Sequence, residues 1–150
     1  MARSPAHRYK QSGVIPYRRK KGRIQILLVS NRRRSRWVIP KGMVARGLDT
    51  RTSATKEALE EAGIRGKVSV RRVGRYSYEK WGGLCIVTVF LMRVDNVHDK
   101  WDEKDRKRRW VGISRAQRMV DENKLKKLIS KVPHLVSSDL AKLKIVDGYK

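Results

Sequence analysis

Glu57, Glu60 and Glu61 stand at i, i+3 and i+4 in a chain with only 14 acidic residues against 38 lysines and arginines. On a helix that spacing puts all three side chains on one face, within about 100° of arc. Like charges so placed cost a helix about a few tenths of a kcal/mol. A hard divalent cation turns the repulsion into attraction, because carboxylate oxygens are what Mg2+ and the similar Mn2+ prefer. Taken alone, the run Glu57-Ala58-Leu59-Glu60-Glu61 reads by default as a solvated acidic face. The flanking residues decide.

Asp49 is placed to cap a helix whose first turn is polar, with Ala54, Ala58 and Leu59 as compact or apolar positions further on. Gly63 follows the last acid, where a left-handed residue ends a helix. Upstream, Trp37-Val38-Ile39-Pro40 reads as a short strand that Pro40 stops, delivering the chain to Lys41-Gly42. The expected unit is a strand, a glycine-led loop, a short helix carrying three carboxylates, and a glycine stop.

Residues Gly42 to Ile64 resemble the Nudix box, the signature G-x5-E-x7-R-E-U-x-E-E-x-G-U in which U is a bulky aliphatic residue. Gly42, Glu57, Glu60, Glu61, Gly63 and Ile64 fall in register without insertion. Leu48 replaces the first glutamate, Lys56 the arginine, and Ala58 is smaller than the usual aliphatic. In the family that glutamate and arginine commonly pair and brace the loop, so the bracing differs here while the Glu57 face is complete. The resemblance extends over roughly residues 9 to 130, through Trp37 to Gly42, Gly74-Arg75-Tyr76, Val87 to Phe90, Trp101 and Arg106-Lys107-Arg108-Arg109-Trp110. In this order the chain is similar to the diphosphoinositol-polyphosphate and diadenosine-polyphosphate phosphohydrolase branch, including its bacterial relatives.

That resemblance implies an α/β/α sandwich with a mixed sheet, and hydrolysis of a pyrophosphate linkage with Mg2+ or Mn2+. It implies Glu57 and Glu61 as metal ligands, joined by the carbonyl of Gly42, with Glu60 as proton acceptor or a further ligand. Family members distribute the base differently, so Glu60 and Glu57 both stand as the catalytic base. Gly42, Leu48, Lys56 and Gly63 are the structural positions of the box.

The rest of the chain fits one domain. At 150 residues it can bury about 68–70% of its unfolded surface, enough for one core. The division expected is a basic tail at 1–8, the domain at 9–131, and an extension with helical pattern at 132–150. Strands are expected at 12–18 and 23–30 across a basic turn, and at 67–78 and 83–94 across Gly82-Gly83. A polar loop at about 95–106 leads to Arg109–Ile113. Ser114 with Gln117 suggests a capping box for a helix near 115–121, and Leu125, Leu128 and Ile129 suggest another that Val132-Pro133 ends. A last amphipathic helix is expected over 137–145.

The longest apolar run, Leu84 to Met92, is far below the roughly 20 residues a bilayer needs, so it reads as a central strand. The lone cysteine, Cys85, lies inside it as a small buried hydrophobe and not a nucleophile. The N-terminal residues lack the apolar stretch of a secretory signal, and the expected location is the cytoplasm. His7, His98 and His134 show no spacing that would ligate zinc, and no Gly-x-x-x-x-Gly-Lys-Ser/Thr loop is present.

A formal net charge of +24 raises the local concentration of polyanions. It is concentrated at Arg32-Arg33-Arg34 with Arg36, before the box, and at Arg106 to Arg109, before the last strand. In the fold that the resemblance implies, these loops overhang the carboxylate helix, so Arg36, Lys41 and Arg106 are expected to hold substrate phosphates, with Lys10 as a further basic position that the branch resemblance implies. Trp81 and Trp101 are expected to border a ligand, and Trp37 and Trp110 to pack within strands. Two classes of function follow: hydrolysis of a small polyphosphorylated substrate, or nucleic-acid binding on the same scaffold, with removal of pyrophosphate from an RNA 5′ end as the hybrid. Aromatic residues interleaved with the arginines, which single strands usually want, are missing from the Arg32–Arg34 run.

Overall fold

The computed structural model describes residues 7–139 and 143–144. In chain order the elements are β1 (Arg8–Lys20), β2 (Arg23–Ser30), β3 (Trp37–Val38), β4 (Lys41–Met43), α1 (Thr50–Ala62), β5 (Ile64–Ser69), β6 (Gly74–Lys80), β7 (Gly83–Val97), β8 (Arg108–Gly112), α2 (Ile113–Met119), α3 (Asn123–Asp139) and β9 (Leu143–Lys144). One mixed sheet runs β3-β2-β1-β7-β5-β9, with β4 also on β1, β6 on β7 and β8 on β2. Its spine is the parallel pair β1–β7, in register from Arg8↔Leu84 to Tyr17↔Arg93. On the other edge, β1 pairs β2 through Tyr17–Lys20 and β4 through Gln11–Gly13. The sheet therefore forks, and the fork presents Lys41 and Gly42 to the helix beside it.

Strand alternation sorts the interior into two layers. Val14, Leu27, Val29, Phe90 and Met92 point to one face and pack on Ala54, Ala58 and Ala62 of α1. Ile15, Tyr17, Leu28, Val89 and Leu91 point to the other and meet α2 and α3 through Ala116, Leu125, Ile129, Val132 and Val136. This is the expected α/β/α sandwich. Cys85 is buried, as read from its run. None of the described helices is long and apolar enough to cross a membrane.

α1 starts and stops where its sequence says. The Asp49 carboxylate accepts the Thr52 N–H at 2.7 Å. Gly63 takes φ 65°, and its N–H goes to the carbonyls of Ala58 and Leu59. A Cβ on Gly63 would come within 2.8 Å of the Trp101 Cβ, so two separate demands select glycine there.

Five expectations are corrected. The segment 67–78 is two strands, β5 and β6, because the chain leaves the ladder between them; Ser69 Oγ accepts the Leu91 N–H at 3.0 Å and donates to the Arg71 carbonyl at 2.8 Å. The β6–β7 turn is Trp81-Gly82 and not Gly82-Gly83, with positive φ at both residues as a tight two-residue hairpin demands. No capping box forms, since α2 begins at Ile113 on Gly112 without a side-chain cap, and Gln117 donates instead to the Lys126 carbonyl at 3.0 Å. Pro133 does not end its helix: α3 runs on to Asp139, with Val132 and Val136 in the core offsetting the N–H that proline lacks. The helix expected over 137–145 is not formed as such, because 137–139 close α3 while Leu143–Lys144 pair with Val68–Ser69. Residues 140–142 and 145 lie outside the described residues, as do 1–6 of the expected tail.

Replacing Gly63 by Ala should lower the unfolding free energy by about 1–2 kcal/mol for the left-handed backbone, with a further loss from displacing Trp101. Asp49→Ala should cost about 1 kcal/mol. Urea unfolding of both variants measures the two terms.

Candidate functional site

Ala54, Ala58 and Ala62 recur every fourth residue on α1 and are fully buried against the sheet. Three methyl groups hold the helix away from the sheet less than larger side chains would, so α1 lies low. Its next row therefore enters the protein: Glu61 is only 4% exposed. Glu57, one turn earlier, sits against β4, where a Cβ on Gly42 would collide with the Glu57 carboxyl group. Glycine at 42 is thus the condition for that carboxyl to lie against the fork. Across the strand pair, Ser12 faces Gly42, and its Oγ is buried without a hydrogen-bond partner.

Each acid has a different environment. The Lys41 backbone N–H donates to the Glu61 carboxylate, at 3.3 and 3.5 Å to its two oxygens, and Arg106 Nη2 is 3.8 Å from Oε1. Burial pushes the Glu61 carboxyl up to about 8, against the pull of Arg106 and Lys41 and with the help of Glu57 and Glu103. Burial also raises Glu57, and the neighbouring Glu60 charge adds to it. Glu60 turns to Lys56 Nζ at 2.8 Å. The Lys41 ammonium is pulled down by burial, which Glu61 opposes, and lies 4.8 Å from the Tyr78 ring centre.

A fourth carboxylate joins this surface that sequence reasoning did not single out. The Glu103 N–H donates to the Glu60 carbonyl at 3.1 Å, and its carboxylate takes Arg106 Nε at 3.0 Å and Nη2 at 2.9 Å. Its only trace in the sequence is an acid three residues before Arg106 in a loop otherwise read as polar filler. Among the described residues no three His, Cys, Asp or Glu groups converge into a ready cation site. The charges explain this: Glu60, Glu61 and Glu103 are each turned onto a cation or an N–H. As a donor set these three together with Glu57 fit a hard divalent cation. All are carboxylate oxygens, two are pushed toward their neutral form by burial, and the Ser12 hydroxyl beside them has no partner.

The NUDIX domain profile matches residues 8–132. The chain belongs to the Nudix family. Nudix hydrolase 4 of Arabidopsis thaliana is 30% identical over 116 residues, which cover 70% of this chain and 56% of that protein. Diphosphoinositol polyphosphate phosphohydrolase 3-beta of Bos taurus is 24% identical over 118 residues, covering 77% and 71%. The chain thus spans little more than half the length of the plant relative. Among solved structures, that of a C. elegans Ap4A hydrolase superposes with a TM-score of 0.72 at 25% identity, over 87% of this chain and 99% of that one.

Around the Nudix helix the expected substrate residues part company. Arg106 is inward, its side chain 10% exposed, with Nη1 on the Ser30 carbonyl at 3.0 Å and its other nitrogens on Glu103 and Glu61. Arg36 points outward, 3.4 Å from Asp121. Lys41 is at the fork beside Glu61, as above, while Lys10 is exposed on β1 and lies on the α1 face of the sheet by alternation with Val14. The two basic runs meet: Arg34 donates to the Asp105 carbonyl at 2.7 and 3.1 Å, and Arg32 lies 3.5 Å from Glu103.

Arg108 stacks 3.7 Å over Trp101 and donates to the Ala62 and His98 carbonyls, while Trp101 Nε1 donates to the Glu61 carbonyl at 3.0 Å. Trp101 and Arg108 therefore close the C-terminal end of the Nudix helix, where positive charge and N–H donors are favoured. Trp37 and Trp110 pack on the two cores as expected, and Trp81 is exposed. Of the altered box positions, Leu48 is half-buried with its N–H on the Ala45 carbonyl, and Lys56 serves Glu60.

Because Glu61 holds its proton more tightly folded (about 8) than unfolded (4.5), its contribution to stability falls as pH rises between those values. In chelator the melting temperature of the wild type should drop between about pH 5 and pH 8. Glu61→Gln should flatten that slope, and added Mg2+ should raise the wild-type melting temperature most at the upper end. Thermal melts across pH test it.

Proposed function

We propose that this chain is a metal-dependent hydrolase that cleaves a pyrophosphate linkage in a small, highly phosphorylated substrate, a nucleoside diphosphate linked to a further group or a diphosphoinositol polyphosphate. The observation that carries this reading is Glu57 and Glu61 held in register on one low-lying helix, with Gly42 making room for the first and the Lys41 N–H fixing the second. The names of the bovine and worm relatives support the substrate class.

Glu57 and Glu61, with the Gly42 carbonyl, would hold Mg2+ or Mn2+. When bound, such a cation neutralises charge on the phosphoryl oxygens and makes a water more acidic. Glu60 or Glu57 takes the proton of the attacking water, and in-line attack spreads negative charge over the phosphoryl oxygens. Lys41, Lys10 and Arg36 supply positive charge toward the phosphates. Arg106 can reach a phosphate only by releasing Glu61, its longest contact; its other donors hold Glu103 and Ser30 in place. We assign it a positioning role together with its substrate role.

A second reading, hydrolysis at the 5′ end of RNA, has one structural observation in its favour. Trp81 is 55% exposed, with Tyr9 at 5.3 Å and the Lys80 ammonium at 4.6 Å from its ring, which is an aromatic and basic pairing of the kind single strands use. Trp81→Ala should leave turnover of dinucleoside polyphosphates unchanged within about twofold and weaken only RNA binding.

Glu61→Gln removes the charge while keeping size and helix propensity. Turnover of a dinucleoside tetraphosphate with Mg2+ should fall by about two orders of magnitude or more, the scale of an essential charge-stabilising group. Near-normal turnover in a folded Glu61→Gln protein would overturn the assignment. A panel of pyrophosphate-linked substrates, with both products identified, tests the substrate class.

A further inference from the structure

On the α1 side of the sheet, where β6, β7 and the start of β1 extend past the helix, the surface sinks into a groove of about 690 Å3. Lys10, Arg71, Arg72 and Arg75 line it over a floor of Thr88 and Phe90. None of these four cations takes part in the ion pairs among the described residues. The arginines around the carboxylates behave differently: Arg32 and Arg106 face acids, while Arg34 and Arg108 hold carbonyls. Four like charges sharing one concavity repel one another, and an anion placed among them relieves that repulsion.

The groove is built rather than accidental. Arg71 and Arg72 stand in the short link where the chain leaves the ladder, and Arg75 is the second residue of β6. Ser69 Oγ holds one end of the link through the Arg71 carbonyl and the Leu91 N–H, and the Val73 N–H holds the other on the Val89 carbonyl at 2.8 Å. The backbone that carries the cations is thus fixed, although their side chains are exposed, which removes the chain's share of the entropy lost on binding. The floor is covered, with Thr88 8% and Phe90 4% exposed, so the field of the cations is little screened from below. Thr50 completes the rim at the first turn of α1, where backbone N–H groups are free of intrahelical partners and the neighbouring Asp49 carboxylate is spent on Thr52. A covered Phe90 offers no ring for a base to stack on, so the groove reads charge and not bases.

We propose that this groove binds the phosphate run of a polyphosphorylated small molecule, with Arg71, Arg72 and Arg75 as its specificity determinants. The phosphates come either from the distal part of the substrate or from a separate polyphosphate. Thr50 and Glu57 are seven residues apart on α1, about 10 Å along the axis. One molecule can therefore touch both the groove and the carboxylate face. The proposal goes beyond the hydrolase reading and does not require it, because binding in the groove uses none of the acids.

Titration of the full chain with inorganic tripolyphosphate in excess chelator isolates the groove, since the unneutralised carboxylates repel the anion. The wild type should bind it. The double change Arg72→Ala with Arg75→Ala should weaken binding by at least about tenfold, whereas Arg32→Ala with Arg33→Ala should change it less than about twofold. Glu61→Gln should not weaken binding, since it only removes an acid, which keeps this test separate from the fate of the catalytic assignment. Thermal melts check that the variants fold, and Arg75→Lys should restore part of the affinity if charge is what matters. With Mg2+ present, a KM that rises about tenfold in the arginine double variant for a substrate of four or more phosphates, but not for one of two, identifies the distal phosphates as the occupant. An unchanged KM with lost tripolyphosphate binding identifies a separate ligand. Tripolyphosphate binding that ignores the arginine changes overturns the proposal. So does a short single-stranded RNA that outcompetes tripolyphosphate at physiological salt and depends on the same arginines.

Discussion

The close seating of α1 on the sheet is the constraint from which the site follows. Alanine at 54, 58 and 62 lets the helix settle on Val14, Leu27 and Phe90, and the same descent carries Glu61 out of water. A carboxyl in that position tolerates burial because the Lys41 N–H meets it and Arg106 stands behind it. The tuning of the acid and the packing of the helix are then one feature. A larger residue at Ala58 would lift the helix, expose Glu61 and widen the gap to Gly42.

The positive charge of the chain divides by depth. Arg106 and Arg108 are turned inward, one holding Glu103 and the Ser30 carbonyl, the other closing the end of α1 over Trp101. They act as fasteners whose charge is met by acids and carbonyls. Arg71, Arg72 and Arg75 lie in an open concavity with no acid among its lining residues. The adjoining run Arg106 to Arg109 would suggest one uniform patch, but the alternation of β8 and the preceding loop sends its members to different environments.

Local chemistry was legible in the residues; distant partnership was not. Asp49 and Gly63 announce the ends of α1 because capping and left-handed backbone depend on neighbours a few positions away. The i, i+3, i+4 acids announce a face for the same reason. Glu103 shows only its spacing to Arg106, since what brings the two to Glu60 is the path of a loop. Pro133 misled because a local rule was overridden by burial of Val132 and Val136. The single strand expected over 67–78 failed because Ser69 can replace a backbone partner of Leu91 with its own hydroxyl, which apolar periodicity does not encode.

The parallel pairing of β1 with β7 joins residue 8 to residue 84, and the Lys107 carbonyl receives the Ser30 N–H. The carboxylate surface therefore depends on segments separated by most of the chain, none of which folds into place by local contacts alone. Closing such long loops is slow compared with forming a helix. A ribosome must release the chain well past residue 107 before Glu61 meets Arg106. Until then the acidic helix and the arginine runs are free to find each other in the wrong register, so a nascent chain of this composition carries its greatest risk of misassembly late in synthesis.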